Sequence, residues 1–262
     1  MSDNNKLFGD ISFDRRAKII DMLSISGQVR ISDLSKIFNV SSVTIRNDLF
    51  QLEGKGLVVR TRGGALLPQR VSIDHDLETK REKNNSEKEL IGKRASELVF
   101  AGETIILDSG TTTMKIAKNL DKIENLTVIS NALNIVSYLV NIPNVKVIVP
   151  GGYLRKESLS LVGSSAEEEL KKYYCDKLFL GVDGIDTNYG ITTPNAEEAH
   201  LNRVMLGIAK EIIVVADSSK FSKRSFAFIS RIEKINTIIT DSNIPDDQYK
   251  DLKTIGLNII IA

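Results

Sequence analysis

The sequence predicts an α/β protein in two parts: an N-terminal domain of three short helices and a β-hairpin, then a larger domain built on a mainly parallel sheet. Three observations lead to this fold class. Apolar residues near the N-terminus recur at helical spacing in three short segments. Farther along, seven apolar runs alternate with helical patterns, which is typical of a parallel sheet covered on both faces. The length of 262 residues fits one large domain or two ordinary ones.

The composition excludes several classes of protein. The chain is 42% hydrophobic and 26% charged, which is ordinary for a globular protein. Its single cysteine, Cys175, rules out a disulfide framework and a thiolate zinc cluster, and His75 and His200 share no ligand spacing. No apolar run approaches the roughly 20 residues that span a bilayer, and the N-terminus lacks the apolar core of a signal peptide. We therefore expect a cytoplasmic protein with no membrane association, no metal and no cofactor.

Charge is distributed unevenly along the chain. Residues 1–70 carry a net charge of +4 and residues 71–262 carry −3. A basic head on a slightly acidic body suggests that only the head meets a polyanion, but chance clustering on a solvated surface would give the same pattern. We place the head domain at 12–67, a polar linker at 68–85 and the larger domain at 86–262. Ser86 is expected to cap the first helix of the larger domain, in a capping box with Glu89.

Three short amphipathic helices make up the head domain. Ser32 is expected to cap the second helix and Ser41 the third, with a tight turn at Asn39-Val40 between them. Two short helices joined in this way match helix-turn-helix geometry. The inward faces of the three helices are Ile19, Met22 and Leu23, then Leu34, Ile37 and Phe38, then Ile45, Leu49 and Leu52.

The outward face of the third helix is suited to DNA. Arg46 and Asn47 are the side-chain types that make bidentate contacts to guanine and adenine edges. The hairpin that follows, at 57–67, brings basic residues that can grip the phosphate backbone. The alternative is a small helical bundle that binds another protein. The candidate DNA-contacting residues are Ser41, Ser42, Val43, Thr44, Arg46, Asn47, Gln51, Arg60, Arg62 and Gly63.

This head resembles a known family. Residues 15–67 are similar to the winged helix-turn-helix signature of the DeoR family of bacterial transcriptional regulators. One departure is Asn47, where many relatives carry a second arginine, so the operator base contacted there can differ. The matching positions are Val40-Ser41, Thr44-Ile45-Arg46, Asp48-Leu49, Leu52-Glu53, Gly56, Arg60 and Gly63-Gly64-Ala65.

The apolar runs of the larger domain predict the strands of its sheet. In sheets of this kind ligands bind at the carboxyl ends of the strands, so the residues just after each run are the place for a site. The predicted strands are Thr104–Leu107, Leu126–Ile129, Val145–Val149, Lys177–Leu180, Ile212–Ala216, Thr237–Thr240 and Asn258–Ile261.

The turn after the first of these strands has the composition of an anion cradle. Hydroxyl side chains, a glycine and a helix N-terminus offer N–H groups, hydroxyls and a favourable dipole to a phosphate. The alternative is an ordinary strand-to-helix turn in which serine and threonine act as caps. The turn is not a Walker loop, and no GxGxxG fingerprint occurs, so a dinucleotide is not expected. The cradle residues are Asp108, Ser109, Gly110, Thr111, Thr112 and Thr113.

Other loops after strands supply charged and polar candidates. Lys220 offers a cation and Arg155 a possible clamp, while Asp183 can accept hydrogen bonds from sugar hydroxyls. For Lys220 and Asp183 a structural salt bridge is the alternative. Asn195 is expected to start a helix through a capping box. The effector-site candidates outside the cradle are Gly152, Arg155, Asp183, Thr193 and Lys220.

The larger domain also resembles the DeoR family, in its sugar-phosphate sensor domain, which is related to ribose-5-phosphate isomerase. The resemblance implies that Ser109–Thr113 hold a phosphate and that Asp183 and Lys220 line the sugar end. Within the family, the N-acetylgalactosamine-operon repressors look most similar, through the blocks ILDSGTTT, TIRNDL, GVDGID, ITTPNAEEAHLNR and VVADSSKF. The matching motifs of the domain are Asp108–Thr113, Gly151-Gly152, Gly181–Gly184 and Asp217–Phe221.

Three readings of function compete, and one of them, a protein-binding adaptor with no ligand, would leave the polar loops unexplained. The first is a repressor of a carbohydrate operon that binds double-stranded operator DNA and is released by a phosphorylated sugar. The second is a sugar-phosphate isomerase, with Glu197 or Glu198 as general base. The Lys-Gly-rich segment of related isomerases is missing after Asp183-Gly184-Ile185-Asp186, and a basic head has no use in such an enzyme, so we expect no enzyme activity. Because paired half-sites call for two heads, we also expect a homodimer or homotetramer.

Overall fold

The computed structural model describes residues 15–23, 26, 28–54, 57–61, 63–66 and 77–262. The chain divides into two compact units, Met1–Val71 and Ser72–Ala262. No helix in the described part of the chain combines the length and the apolar character that a membrane span requires.

The smaller unit contains the predicted three helices and hairpin, together with one strand that was not predicted. Helix α1 covers residues 15–23. The strands form an antiparallel sheet in the order β1-β3-β2 around a core that includes Ile19, Leu34 and Leu49. The remaining elements are β1 (Gln28–Arg30), α2 (Ile31–Phe38), α3 (Ser42–Gly54), β2 (Val59–Thr61) and β3 (Gly64–Leu66).

Local details of the smaller unit correct some predictions and confirm others. Helix α2 begins at Ile31, so Ser32 lies inside its first turn and bonds to Asp33 instead of capping the helix. Ile37 is exposed and not part of the core. Asn39 ends α2 in the left-handed conformation, as expected for the tight turn. Ser41 caps α3, because its Oγ accepts the Thr44 backbone N–H at 3.1 Å.

Gly64 shows why the hairpin carries a glycine at the start of β3. A Cβ at this position would lie 1.8 Å from the Val29 carbonyl oxygen. Only glycine therefore lets β3 approach β1, and this contact closes the three-stranded sheet. The strand at 28–30 escaped prediction because it is too short to show a period of its own.

The larger unit is built on a seven-stranded parallel sheet, and all seven predicted strands occur in it. The order is β15-β14-β12-β9-β4-β5-β6, so the chain runs outward from β4 in one direction and from β9 in the other. The crevice between β4 and β9 is therefore a topological switch point. The strands are β4 (Thr104–Leu107), β5 (Leu126–Ser130), β6 (Val145–Ile148), β9 (Cys175–Gly181), β12 (Ala209–Val215), β14 (Thr237–Thr240) and β15 (Asn258–Ile261).

Helices cover both faces of this sheet. Alternate residues of each strand enter two different cores: Ile106 and Leu178 pack on one side, Leu107 and Phe179 on the other. This explains why the strands are apolar throughout instead of alternating with polar residues. The helices are α4 (Leu77–Glu82), α5 (Asn85–Ser96), α6 (Thr111–Ala117), α7 (Leu133–Leu139), α8 (Ser164–Leu170), α9 (Ala196–Ile208) and α10 (Asp246–Thr254).

Two small antiparallel sheets complete the unit, and neither was predicted. Strand β7 (Tyr153–Arg155) pairs with β8 (Ser160–Val162). Strand β11 (Gly190–Thr193) lies between β10 (Gly184–Asp186) and β13 (Ala227–Ser230). These strands have three or four residues each, which leaves too little pattern for sequence-based prediction.

The segment predicted as a linker contains structure. Helix α4 and the start of α5 lie within 68–85 and belong to the larger unit, while residues 68–76 lie outside the described residues. The capping box at Ser86 is wrong, because α5 begins at Asn85 after Asn84 in the left-handed conformation. The capping box at Asn195 is confirmed, since its Oδ1 accepts the backbone N–H groups of Glu197 and Glu198.

Candidate functional site

The first candidate site is the exposed face of α3 in the smaller unit. The side chains of Val43, Arg46, Asn47 and Gln51 are exposed, and those of Ser42 and Thr44 are half-buried. The apolar positions Ile45, Leu49 and Leu52 face the core. The helix therefore presents base-reading side-chain types on one face and packs with the other.

Each of the two acidic residues of α3 is paired with an arginine. Asp48 is buried, and its carboxylate accepts two hydrogen bonds from the Arg15 guanidinium of α1, at 2.5 and 3.2 Å. Glu53 accepts the Arg60 Nε hydrogen at 2.7 Å and the Arg60 backbone N–H at 3.1 Å. The Arg60 side chain holds the pKa of Glu53 below its ordinary value. The Asp48 carboxylate is therefore buried, and the half-exposed Glu53 carboxylate is paired with a cation.

The hairpin residues lie beside α3 within the same unit. The Arg60 guanidinium carbon lies 5.3 Å from the centre of the exposed Phe50 ring, so it rests on the α3 surface. An arginine has five N–H donors, and the Nε bond to Glu53 uses one of them. Gly63 is exposed in the turn, and its carbonyl oxygen accepts the Ile31 backbone N–H at 2.8 Å. Arg62, the other predicted hairpin contact, lies outside the described residues.

The second candidate site is a pocket in the larger unit, at the carboxyl ends of β4, β9 and β12. It therefore occupies the switch point of the sheet, where ligands of such folds bind. The pocket encloses about 120 Å³. Eight of the eleven predicted effector-site residues line it: Asp108, Ser109, Gly110, Thr111, Thr112, Asp183, Thr193 and Lys220.

The other three predicted residues have structural contacts instead and are not among the described residues of the pocket wall. The Thr113 hydroxyl donates a hydrogen bond to the Gly110 carbonyl oxygen at 3.0 Å. At Gly152, with φ +103°, a Cβ would lie 2.5 Å from the Val162 carbonyl oxygen. Arg155 is buried and pairs with Glu198, from Nη1 to Oε1 at 2.7 Å. The expected arginine clamp is thus a buried support for the pocket.

Sequence reasoning missed a group of cations and amides on the pocket wall. Lys80 and Lys83 come from the segment interpreted as a linker, and Lys88 from the helix that follows it. The dense charge of the stretch 78–89 was the available signal, but charged stretches are usually solvated. Glu198 was noted only as a possible general base. The missed residues of the wall include Lys80, Lys83, Asn84, Lys88, Glu198 and Asn202.

Asp183 lies between two ammonium groups. Its Oδ1 is 3.0 Å from Lys220 Nζ and its Oδ2 is 3.0 Å from Lys80 Nζ. Burial alone would raise the pKa of this carboxyl, but the two lysines hold it below its ordinary value. Lys88 is also buried, and desolvation lowers the pKa of its ammonium group to about 8, helped by Lys220, Lys115 and Lys80. Four of the described lysines therefore line the pocket: Lys80, Lys83, Lys88 and Lys220.

Two buried carboxyl groups, Asp108 and Glu198, also line the pocket. Burial and the neighbouring Glu198 carboxylate raise the pKa of Asp108 well above its ordinary value. Glu198 accepts hydrogen bonds from Arg155, from the Thr193 hydroxyl at 3.2 Å and from the Ser160 hydroxyl at 3.4 Å. With its amide oriented to satisfy its neighbours, Asn202 donates to Asp108 Oδ1 at 3.2 Å. With three donors on its oxygens, Glu198 is fixed in place instead of poised to move a proton.

Both units match domains of one known family. Residues 15–71 match the DeoR-like helix-turn-helix domain, and residues 83–242 match the DeoR C terminal sensor domain. The chain is 42% identical to the "Putative aga operon transcriptional repressor" of Escherichia coli O157:H7, over 95% of this chain and 93% of that protein. It is 35% identical to the HTH-type transcriptional repressor GlcR of Bacillus subtilis strain 168, over 91% of this chain and 92% of that protein.

Among solved structures, a ribose-5-phosphate isomerase of Plasmodium falciparum is similar with a TM-score of 0.40 and 16% identity, over 53% of this chain and 54% of that one. A likeness of this size says nothing about activity. The full-length relatives are named transcriptional regulators, and two domain matches cover most of the sequence. The chain therefore belongs to the DeoR family of DNA-binding transcriptional regulators.

Proposed function

We propose that this protein represses a carbohydrate operon of the amino-sugar, N-acetylgalactosamine type, and that a sugar phosphate bound in the larger unit releases it from operator DNA. It acts in this proposal as a homodimer or homotetramer, because two-fold related heads fit paired half-sites. The relative with 42% identity is named for the aga operon, which supports the choice of sugar. The single observation that carries the proposal is the pocket itself, which combines phosphate donors with sugar acceptors.

The chemistry of the pocket suits a phosphorylated polyol. The first turn of α6, at Thr111 and Thr112, offers backbone N–H groups that have no partner within the helix. Lys220 and Lys88 add the positive charge that a phosphate dianion requires. Asp183, which lies beside Lys220, and Glu198 offer carboxylate oxygens to hydroxyl groups. A sugar without its phosphate would lack the anion that Lys220, Lys88 and the backbone N–H groups attract, so it should bind far more weakly.

The DNA-reading role of α3 predicts a specific loss. Arg46→Ala should weaken binding to the chain's own upstream region by about 1–3 kcal/mol and relax the base preference at one position, because an arginine that contacts a guanine is removed. Fluorescence anisotropy with a set of single-base operator variants measures both effects. As a control, Lys36→Ala, on the exposed side of α2, should keep the parental base preference. Unchanged preference in Arg46→Ala would show that α3 does not read this base.

The effector role predicts a linked pair of affinities. Hexosamine 6-phosphates should stabilise the protein against heat and weaken operator binding, whereas the unphosphorylated sugars should do neither at the same concentration. Thr112→Ala should bind operator normally and respond less, because a hydroxyl of the cradle is lost. Thr254→Ala, on exposed α10, is the matched control. Light scattering on the same samples reports the oligomer size.

Thermodynamic linkage requires operator DNA and the sugar phosphate to change each other's affinity equally. Operator DNA must weaken sugar-phosphate binding by the same factor by which the sugar phosphate weakens operator binding, typically 1–3 kcal/mol. Calorimetry with and without saturating operator tests this equality. Equal sugar-phosphate affinity in both conditions would show that the ligand occupies the pocket without acting as the inducer.

A further inference from the structure

Helix α4 is attached to the larger unit by polar contacts. All six residues of α4 are described, and none of them is buried. Most helices on a protein surface are held by an apolar face packed against the core. A helix without such a face depends on the polar groups that it meets, so a change in those groups changes its attachment.

The polar contacts of α4 converge on the effector pocket. Lys80 Nζ donates to Asp183 Oδ2 at 3.0 Å. Just after the helix, Asn84 Nδ2 donates to Asp217 Oδ1 at 2.8 Å and to Ser219 Oγ at 3.2 Å. At the start, the Leu77 backbone N–H donates to the Glu157 carbonyl oxygen at 3.0 Å. Asp183, Asp217, Ser219 and Glu157 all line the pocket.

A buried ammonium group fixes the carboxyl end of the same helix. Lys88 Nζ donates to the Lys80 carbonyl oxygen and, at 2.6 Å, to the Lys83 carbonyl oxygen. Carbonyl groups at the end of a helix lack partners within it, and a lysine can supply them. Lys88 is also one of the cations that a phosphate in the pocket would attract. The group that holds α4 and the group that would meet the ligand are therefore the same.

Helix α4 forms part of the wall of the pocket. The pocket encloses about 120 Å³, and Leu77, Lys80 and Lys83 line it. A closed cavity of about 150 Å³ holds one benzene, and a hexose phosphate has roughly three times as many non-hydrogen atoms. A sugar phosphate therefore either extends through the open side of the pocket or displaces part of the wall. Helix α4 is the part that we expect to move, since it has no buried residue among those described.

We infer that Lys80 is a built-in competitor of the effector: it occupies Asp183 when the pocket is empty of ligand, and sugar-phosphate binding displaces it and releases α4. The inference rests on the proposed function. Sugar hydroxyls take the Asp183 carboxylate from Lys80, and the phosphate draws Lys88 away from the carbonyl groups of α4. Lys80 lies outside both family matches, at 15–71 and 83–242, so neither match covers it.

The position of α4 in the chain gives this release a consequence for DNA binding. Strand β3 of the smaller unit ends at Leu66, and α4 begins at Leu77. Residues 67–76, which cross the boundary between the two units, join these two elements along the chain. While α4 is docked, the carboxyl end of this segment is held on the larger unit. When α4 is released, that end is no longer held. The docked state is therefore the one that binds operator, and the effector shifts the population away from it.

Hydrogen–deuterium exchange of the full-length protein tests the inference. The probes are N-acetylgalactosamine 6-phosphate, galactosamine 6-phosphate and inorganic phosphate. A sugar phosphate that stabilises the parent protein should speed amide exchange at 77–84, whereas inorganic phosphate, which has no sugar hydroxyls, should leave the Lys80–Asp183 contact in place. In Lys80→Met, exchange there should already be fast without a probe. The coupling between probe and operator should fall from the 5–150-fold that is typical of allosteric systems to less than about threefold.

Two further variants separate the effect of Lys80 from a general loss of stability. Asn84→Gly removes the bonds to Asp217 and Ser219 and keeps the left-handed backbone at that position, so it should behave like Lys80→Met. Lys93→Met makes the same substitution at an exposed position of α5 and should retain parental exchange and coupling. Slower or unchanged exchange at 77–84 with a stabilising sugar phosphate, or parental coupling in Lys80→Met, would overturn the inference and leave the proposed function standing. Failure of every probe to stabilise the parent would overturn both.

Discussion

Asp48→Ala is expected to unfold the smaller unit, because it removes about 3–5 kcal/mol of stability. Asp48 is 4% exposed and takes both hydrogen bonds of the Arg15 guanidinium, whose side chain is 13% exposed. The alanine leaves a nearly buried cation without its partner and separates α1 from α3. A domain of this size rarely has more than about 3–5 kcal/mol of net stability, so the loss is of the same size as the whole. Operator binding should disappear, and exchange at 28–66 should become fast.

Two variants make this result interpretable. Asp33→Ala, at an exposed carboxylate in the first turn of α2, should cost only about 0.3–1 kcal/mol. The double variant Arg15→Met, Asp48→Leu should recover most of the stability, since apolar side chains of similar size often replace a buried ion pair without loss. If Asp48→Ala unfolds in urea at the same concentration as Asp33→Ala, the ion pair contributes little and α1 is held by its apolar contacts alone.

Glu198→Ala should destabilise the larger unit by a similar amount, about 3–5 kcal/mol. Its partner Arg155 is 9% exposed, and the bond between them is 2.7 Å long. The hydroxyls of Thr193 and Ser160 would also lose their acceptor. Because the Glu198 carboxylate helps to raise the pKa of Asp108, that pKa should fall toward its ordinary value in the variant. Urea unfolding measures the stability, and the pH dependence of unfolding measures the Asp108 shift.

The neighbouring glutamate is the matched control. Glu197 is exposed in the same first turn of α9, so Glu197→Ala should cost less than about 1 kcal/mol. Both variants keep the Asn195 cap, which uses backbone N–H groups. Equal stability of the two variants would mean that Arg155 finds another acceptor when Glu198 is absent. Such a result would also remove the argument that Glu198 is a fixed support.

The parts of the fold that could be predicted from the sequence are those with strong local patterns. The strand Thr104–Leu107 is buried on both faces, so its apolar run stands out from the flanking polar turns. Helix α3 could be predicted because Ser41 caps it and because its apolar residues recur at helical spacing. The place of Ser109–Thr112 on the pocket wall could be predicted because these residues directly follow a buried strand.

The parts that could not be predicted depend on distant partners. Arg155 was interpreted as a ligand clamp because the residues around it do not indicate its partner. That partner is Glu198, which lies 43 positions later. Helix α4 has no apolar stripe, so its pattern is that of a linker even though Lys80 reaches Asp183. Strand β1 exists because Gly64 lets β3 approach it, and this contact is invisible in three residues.

The strand order of the larger sheet has a consequence for the newly made chain. The contacts of the smaller unit are complete once residue 66 is available, whereas β9 needs β4 from far upstream and β12 from downstream. Long-range pairing of this kind forms late. At 5–20 residues per second, roughly 8–30 seconds separate the synthesis of residue 66 from that of Lys220. During that interval the growing chain contains the described strands and helices of the smaller unit, while part of the pocket wall has not yet been made.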